Sequence, residues 1–360
     1  MDKINIKEKI NASLVLGSYL DTLGFNNGLW EFNFGIKKIN TLKDALLVNY
    51  EIIHHFFALG GFNIDMSRWN ASDDTIMMIA TMKACKKGGT IDNFIDEYVK
   101  ILPLLEDSKR VSGNTTLISL RLLAKYKSMD RISYSNKMGG NGAAMRTHYI
   151  GIHFTDINKI IEVSIMASRL THNYPLGFLG GMVTALFTHY AINNIHPEKW
   201  CEKLLELNEN NTINKIIEKL PIYKEYLKNK DEFWTPWYKY KEYRLPNYDI
   251  KSSDFMFGSE RFASLIDILY ENKNYVSGTV DFDHFGFSGV SATIIAYDSI
   301  LMSIQNKKIN WESLVINSTL HFGDSDTIGT IAGCWYGAVM GFSDVDKDVV
   351  NMLEFRKELI

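Results

Sequence analysis

Three cysteines in 360 residues, Cys85, Cys201 and Cys334, are too few and too far apart for a disulfide framework. None has a second Cys or His at zinc-finger spacing, and their apolar neighbours read as buried thiols in a reducing compartment. Proline is also scarce, at six residues, so little interrupts helical stretches. Neither sign of charge dominates: a net charge of −3 leaves no electrostatic footprint for nucleic acid or an anionic membrane. Residues 14–20 are apolar but far short of the roughly 20 needed to span a bilayer, and no long uncharged run carries basic flanks. Residues 1–10 lack the basic head, apolar run and cleavage site of a signal peptide. The expectation is a cytoplasmic monomer with neither nucleic acid nor membrane as a partner.

What is present is helical periodicity. With 46% hydrophobic and 22% charged residues the composition is that of a globular chain able to bury a large core. Residues 73–87 follow Ser72, carry acid in the first turn and stop at Gly88-Gly89, which are start and stop signals with physical causes. Residues 156–170 repeat that pattern, and residues 176–192 are apolar on most sides, as befits a central helix. Further helices are expected at 8–22, 43–58, 197–208, 212–228, 259–271, 290–305, 310–321, 326–341 and 346–358. Strand signals are few. The reading is an all-α fold, with residues 1–360 as a single domain. Residues 125–142 and 272–289 are rich in glycine and polar groups, and read as irregular loops of functional interest. Residues 222–248 crowd Trp234, Trp237, Tyr238, Tyr240 and Tyr243 among lysines, yet Glu225, Asp231, Glu232 and Glu242 break any coherent basic surface for stacked bases.

Two acidic strings carry the chemistry: Ser72-Asp73-Asp74-Thr75 and Gly323-Asp324-Ser325-Asp326-Thr327. Alone, either one is explained by helix capping and the helix dipole. The second opens a helix of small apolar residues, so its acids face buried surroundings and require a counter-charge. No Arg or Lys lies within it, which leaves a metal or a remote basic residue. If the fold joins the strings, four carboxylates share a small volume, and a multivalent cation relieves their repulsion. All-oxygen donors suit magnesium, calcium or manganese rather than zinc.

Gly139-Gly140-Asn141-Gly142 leads into Ala143-Ala144-Met145-Arg146 as a glycine-rich loop entering a helix, a junction whose amides bind phosphate. A tight packing turn is the competing explanation, and the Lys-Ser/Thr ending of a Walker loop is missing. His172 stands at the end of a helix, where it either caps carbonyls or donates to an anionic ligand.

Taken in order, these strings resemble the ADP-ribosylglycohydrolases, and most closely the ADP-ribosylarginine hydrolase branch. The resemblance runs from Asp21-Thr22-Leu23-Gly24 and Trp30-Glu31-Phe32 through both acidic strings, the glycine loop and Ser168-Arg169-Leu170-Thr171-His172. It continues through Ile295-Ala296-Tyr297-Asp298 to Ala332-Gly333-Cys334-Trp335, nearly the whole chain. It implies an orthogonal helical bundle with a binuclear cleft holding two magnesium ions, with manganese as a substitute. It further implies that Ser72, Asp73, Asp74, Asp324, Asp326 and Thr327 ligate the metals, with Asp73 or Asp74 as the base that activates water. Glu31 matches a position near the metals, and the ADP-ribose diphosphate would lie against Gly139, Gly140, Asn141, Gly142 and His172. Partners would be ADP-ribosylated proteins and free ADP-ribose. The chain departs from the pattern at Leu20, where relatives have glycine, and at Val290-Ser291, where the arginine hydrolases carry His-Asp. With Asp281, Asp283 and Asp298 as substitute acids, arginine is the expected linkage. The alternatives are a serine linkage, an O-acyl-ADP-ribose ester or a silent ADP-ribose-binding protein.

Overall fold

Ser72 initiates a helix by holding an extended conformation while its hydroxyl accepts the Asp74 amide at 3.1 Å. That helix and five others position the site in this computed structural model, which describes residues 4–32, 39–247, 259–270 and 284–360. They are α1 (Ile6–Phe25), α2 (Asp73–Lys86), α3 (Ile157–Arg169), α4 (Pro175–Ile192), α5 (Gly289–Met302) and α6 (Ser325–Met340). Gly88 and Gly89, at φ +117° and +65°, end α2 as their lack of a side chain allows. Asp156 caps α3 through the Lys159 amide at 2.8 Å. The fold is all-α, as expected, and the described β-structure is slight.

The core is organised around α4, which packs against α3, α5 and α6. By length and composition α4 is able to cross a membrane, yet 94% of it is buried within the protein, as the central helix of the core. Its Phe187 meets Trp200, Trp237, Tyr297 and Trp335, with ring centroids 5.3–5.7 Å apart. Trp234, Trp237 and Tyr240 are buried, so these aromatics of the 222–248 stretch serve packing and offer no platform for bases.

Close contact of α1 with α6 decides where the acids fall. A Cβ on Gly24 would stand 2.4 Å from the Ser325 carbonyl oxygen, and one on Gly333 would stand 2.3 Å from that of Leu16. Any larger residue forces the helices apart. Ser325 Oγ donates to the Gly24 carbonyl at 2.8 Å and Ser13 Oγ to the Cys334 carbonyl at 2.8 Å, fixing the register. Asp21, late in α1, is thereby brought beside the N-terminus of α6, which Asp324 caps.

Several boundaries differ from the periodic reading. Residues 212–228 form two helices, Thr212–Ile217 and Tyr223–Asn229, because Pro221 supplies no amide to continue the first. The last helix covers only Lys347–Asn351. Residues 304–309 turn back as a hairpin, with Asn306 and Lys307 both left-handed, the geometry a two-residue turn needs. Helices Ile91–Lys100, Asn114–Tyr126 and Asp231–Lys239 are absent from the expected set, although a Thr90–Asn93 capping box opens the first. Residues 271–283 lie outside the described residues, and with them Asp281 and Asp283.

Candidate active site

The two acidic strings meet at the N-termini of α2 and α6. Carboxylate oxygens of Glu31, Asp324 and Asp326 lie within 4.8 Å of one another. Glu31 comes from a short helical turn after α1, and the neighbouring Phe32 amide donates to the Gly323 carbonyl at 3.0 Å, tying that turn to the second string. Phe32 holds a left-handed φ of +48°, a strained backbone for a residue with a bulky side chain. Asp324 and Asp326 both accept the Thr327 amide, at 3.3 and 2.9 Å. Asp73 and Asp74, in the first turn of α2, lie close enough to Asp324 for its charge to act on both.

Asp21 contributes a further buried carboxylate that sequence reasoning left out of the site. It accepts the Ser72 hydroxyl at 2.6 Å and amide at 3.3 Å, and also both the amide and hydroxyl of Thr75. Its signals in the sequence are its place in the Asp21-Thr22-Leu23-Gly24 string and an acid set within the long apolar run of α1. Ser72 Oγ therefore donates to Asp21 and accepts from the Asp74 amide, leaving one lone pair for a ligand.

No described Lys or Arg makes an ion pair with these six acids. Burial first, then the charges of Asp21 and Asp324, push the Asp73 carboxyl up to about 7. Burial raises Asp21 to about 6 against the bonds from Ser72 and Thr75. Glu31 is raised well above the usual range by burial and by Asp324, Asp73 and Asp21. Asp74 and Asp326 are likewise raised by burial and neighbouring carboxylates, and Asp324 by burial. Glu31 Oε2 and Asp74 Oδ2 are buried with no hydrogen-bond partner among the described residues. Unpartnered oxygens in a cluster of like charge fit hard divalent cations, which supply charge and fill vacant lone pairs together.

The glycine loop joins this cluster through a side chain. Asn141 Nδ2 donates to Asp324 Oδ2 at 2.6 Å and to the Gly286 carbonyl at 2.9 Å. Its amide donates to the Phe287 carbonyl, and the Gly289 amide to the Gly139 carbonyl, so the loop is stitched to residues 286–289. His172 lies on the same loop: a Cβ on Gly142 would come within 2.7 Å of its Cε1. Burial and the nearby Arg146 push the imidazole down to about 3, leaving it neutral.

Three expectations need correction here. No helix begins at Ala143; turns run to Arg146, and the next helix is His148–His153. Arg146 Nη1 takes the Gly142 carbonyl at 2.6 Å, an acceptor a helix would have given to the Arg146 amide. Asp298 is no acceptor for a substrate guanidinium, because Arg244 and Arg261 already bind its two oxygens at 2.8 and 2.7 Å. Despite its burial, those two arginines hold its carboxyl below the usual range. Val290 is buried, and Ser291 forms a capping box with Ser288 at the start of α5, so these two positions build the helix rather than line a leaving-group pocket.

A family profile described as ADP-ribosylglycohydrolase matches residues 2–360. The ADP-ribosylhydrolase ARH1 of Dictyostelium discoideum is 32% identical over 99% of this chain and 92% of its own. A protein of Acanthamoeba polyphaga mimivirus bearing an ADP-ribosyl glycohydrolase name is 34% identical over 95% of this chain, which spans 66% of that longer relative. A solved structure of an ADP-ribosylglycohydrolase-related protein complex aligns with a TM-score of 0.57 over 98% of this chain and 95% of its own. At 13% identity it bears on the fold alone.

Proposed function

The chain belongs to the ADP-ribosylglycohydrolase family, and from that premise we propose that it is a magnesium-dependent hydrolase releasing ADP-ribose from arginine side chains. The observation that carries this reading is the cluster of Glu31, Asp324 and Asp326, close enough to the Asp73-Asp74 end of α2 for their charges to act on one another, without a described cation among them. Ser72, Asp73, Asp74, Asp324, Asp326 and Thr327 would hold two magnesium ions, or manganese in their place, beside Glu31. When bound, the pair supplies Lewis-acid polarisation and a grip on ribose hydroxyls and water.

The reaction breaks the bond between ribose C1″ and the guanidino nitrogen. Water oxygen joins C1″, and the leaving nitrogen gains a proton. Asp73 or Asp74 orients the attacking water and takes its proton, as a carboxylate within hydrogen-bond reach can do. Asn141 holds Asp324 through the hydrogen bond its side-chain amide donates, tying the glycine loop to the acids. The diphosphate would rest against Gly140, Gly142 and His172, whose imidazole packs against both glycines.

A second reading, hydrolysis of a serine linkage, draws support from Asp298. Its engagement by Arg244 and Arg261 removes one acid from the selection of a guanidinium. Incubation with arginine- and serine-linked ADP-ribosylated peptides, with released ADP-ribose quantified, decides between them. Faster release from arginine is expected; release from serine alone overturns the arginine assignment.

A further inference from the structure

Arg146 is fully buried, and none of its described partners is a carboxylate. Its Nη2 donates to Thr171 Oγ1 at 2.8 Å and to the Ala167 carbonyl at 3.1 Å, and its Nε donates to Tyr98 OH at 3.2 Å. Thr171 Oγ1 stands 2.8 Å from His172 Nδ1. A guanidinium only donates, so the Thr171 oxygen accepts from Arg146 and its single proton needs an acceptor elsewhere. Thr171 is fully buried, and among the described residues His172 Nδ1 is the one acceptor its hydroxyl meets. The reverse polarity, with Nδ1–H donating to Oγ1, would strand the hydroxyl proton in the core, at a cost buried groups rarely bear. The same logic orders the other arm, where Tyr98 accepts from Arg146 and passes its proton toward Thr81, whose hydroxyl meets the Met77 carbonyl.

We infer that Arg146, acting through Thr171, locks His172 in the tautomer that carries its proton on Nε2, presenting a fixed donor at the glycine loop for the anionic part of a bound ligand. Nε2 is the ring nitrogen on the loop side: a Cβ on Gly142 would stand 3.0 Å from it, and one on Gly140 3.4 Å. A neutral imidazole otherwise divides between two tautomers, and only one of them offers N–H to a phosphate oxygen. Arg146 and Thr171 are positioning residues; His172 alone meets the ligand. The buried positive charge of Arg146 also polarises the relay toward an anion, so the bound diphosphate supplies a counter-charge that none of its described partners does. The ligand half of this inference rests on the function proposed above; the tautomer half does not.

Imidazole proton–nitrogen correlation spectra of the histidine-labelled full chain test both halves. The His172 signal is assigned by its loss in His172→Asn. Wild type should show Nε2 protonated and Nδ1 bare before any ligand is added, Thr171→Ser should show the same, and Thr171→Val should show a mixture. In a parallel titration with ADP-ribose and magnesium, Thr171→Val should bind roughly tenfold more weakly, while Thr171→Ser binds as wild type does. Nδ1 protonated in wild type overturns the relay. Equal ADP-ribose affinity for the valine and serine variants overturns its role toward the ligand. A wild type with the expected tautomer that binds no ADP-ribose leaves the relay established and refutes the ligand half together with the proposed function.

Discussion

Ser72 Oγ donates to Asp21 Oδ1 at 2.6 Å, joining the first acidic string to helix α1. Asp21 accepts four bonds from Ser72 and Thr75. An amide at that position offers one oxygen and turns its NH2 toward groups that are themselves donors. Asp21→Asn should therefore lower stability by about 3 kcal/mol, the cost of buried donors left unpaired. It should also weaken magnesium binding, because Ser72 and the first turn of α2 lose their anchor. Denaturant unfolding and calorimetric magnesium titration measure the two effects.

Removing one charge from the cluster should have the opposite effect on the metal-free protein. Asp326→Asn keeps the oxygen that accepts the Thr327 amide at 2.9 Å while relieving repulsion from Glu31, Asp324 and Asp74. Its melting temperature without magnesium should equal or exceed that of wild type. Wild type should gain about 2.7 kcal/mol at a hundredfold excess of magnesium over Kd, and the variant none. A variant that melts early and still responds to magnesium contradicts the assignment of Asp326 as a ligand.

His148 gives an acid-limb prediction away from the cluster. Both of its ring nitrogens are buried without a partner, and burial pushes the imidazole down to about 3. The unfolded chain takes up the proton near 6.5, whereas the folded one refuses it until about 3. The neutral form thus contributes stability that is present above 6.5 and lost as pH falls toward 3, approaching about 1.4 kcal/mol per pH unit. Subtracting the stability of His148→Phe from that of wild type at each pH should give this slope; a flat difference would show that His148 is charged or solvated in the fold.

Val290→His, a change toward the arginine hydrolase pattern, should lower the melting temperature and leave turnover of the arginine linkage no faster. The site is buried in the first turn of α5, and an imidazole there loses packing and gains an unmet polar group, at a cost of about 2 kcal/mol. A stable variant with raised turnover would place this position in the leaving-group pocket after all.

Capping chemistry made the acidic strings legible, because the signals at Ser72, Asp156 and Asp324 are local and the structure uses each as a cap. Asp21 was legible as part of a family string but not as a member of the site. Its role appears only once α1 lies against α6 and close to α2. The bond from Asn141 to Asp324 is equally non-local. Asp298 was misread for the converse reason: an acid in an apolar helix gives no sign of which guanidinium will reach it, and here two from the chain itself do. The loop after Gly142 was read as a helix because Ala-Ala-Met-Arg favours one, and the Arg146 side chain overrode that preference by taking the Gly142 carbonyl.

The most direct test follows release of ADP-ribose from an ADP-ribosylarginine peptide over time, first with the protein in chelator and then after magnesium is restored. Carboxylates gathered without a described cation predict no release in chelator and full turnover once magnesium returns, with Asp326→Asn inactive under both conditions. Undiminished release in chelator, by wild type or by Asp326→Asn, would contradict the metal-centred account.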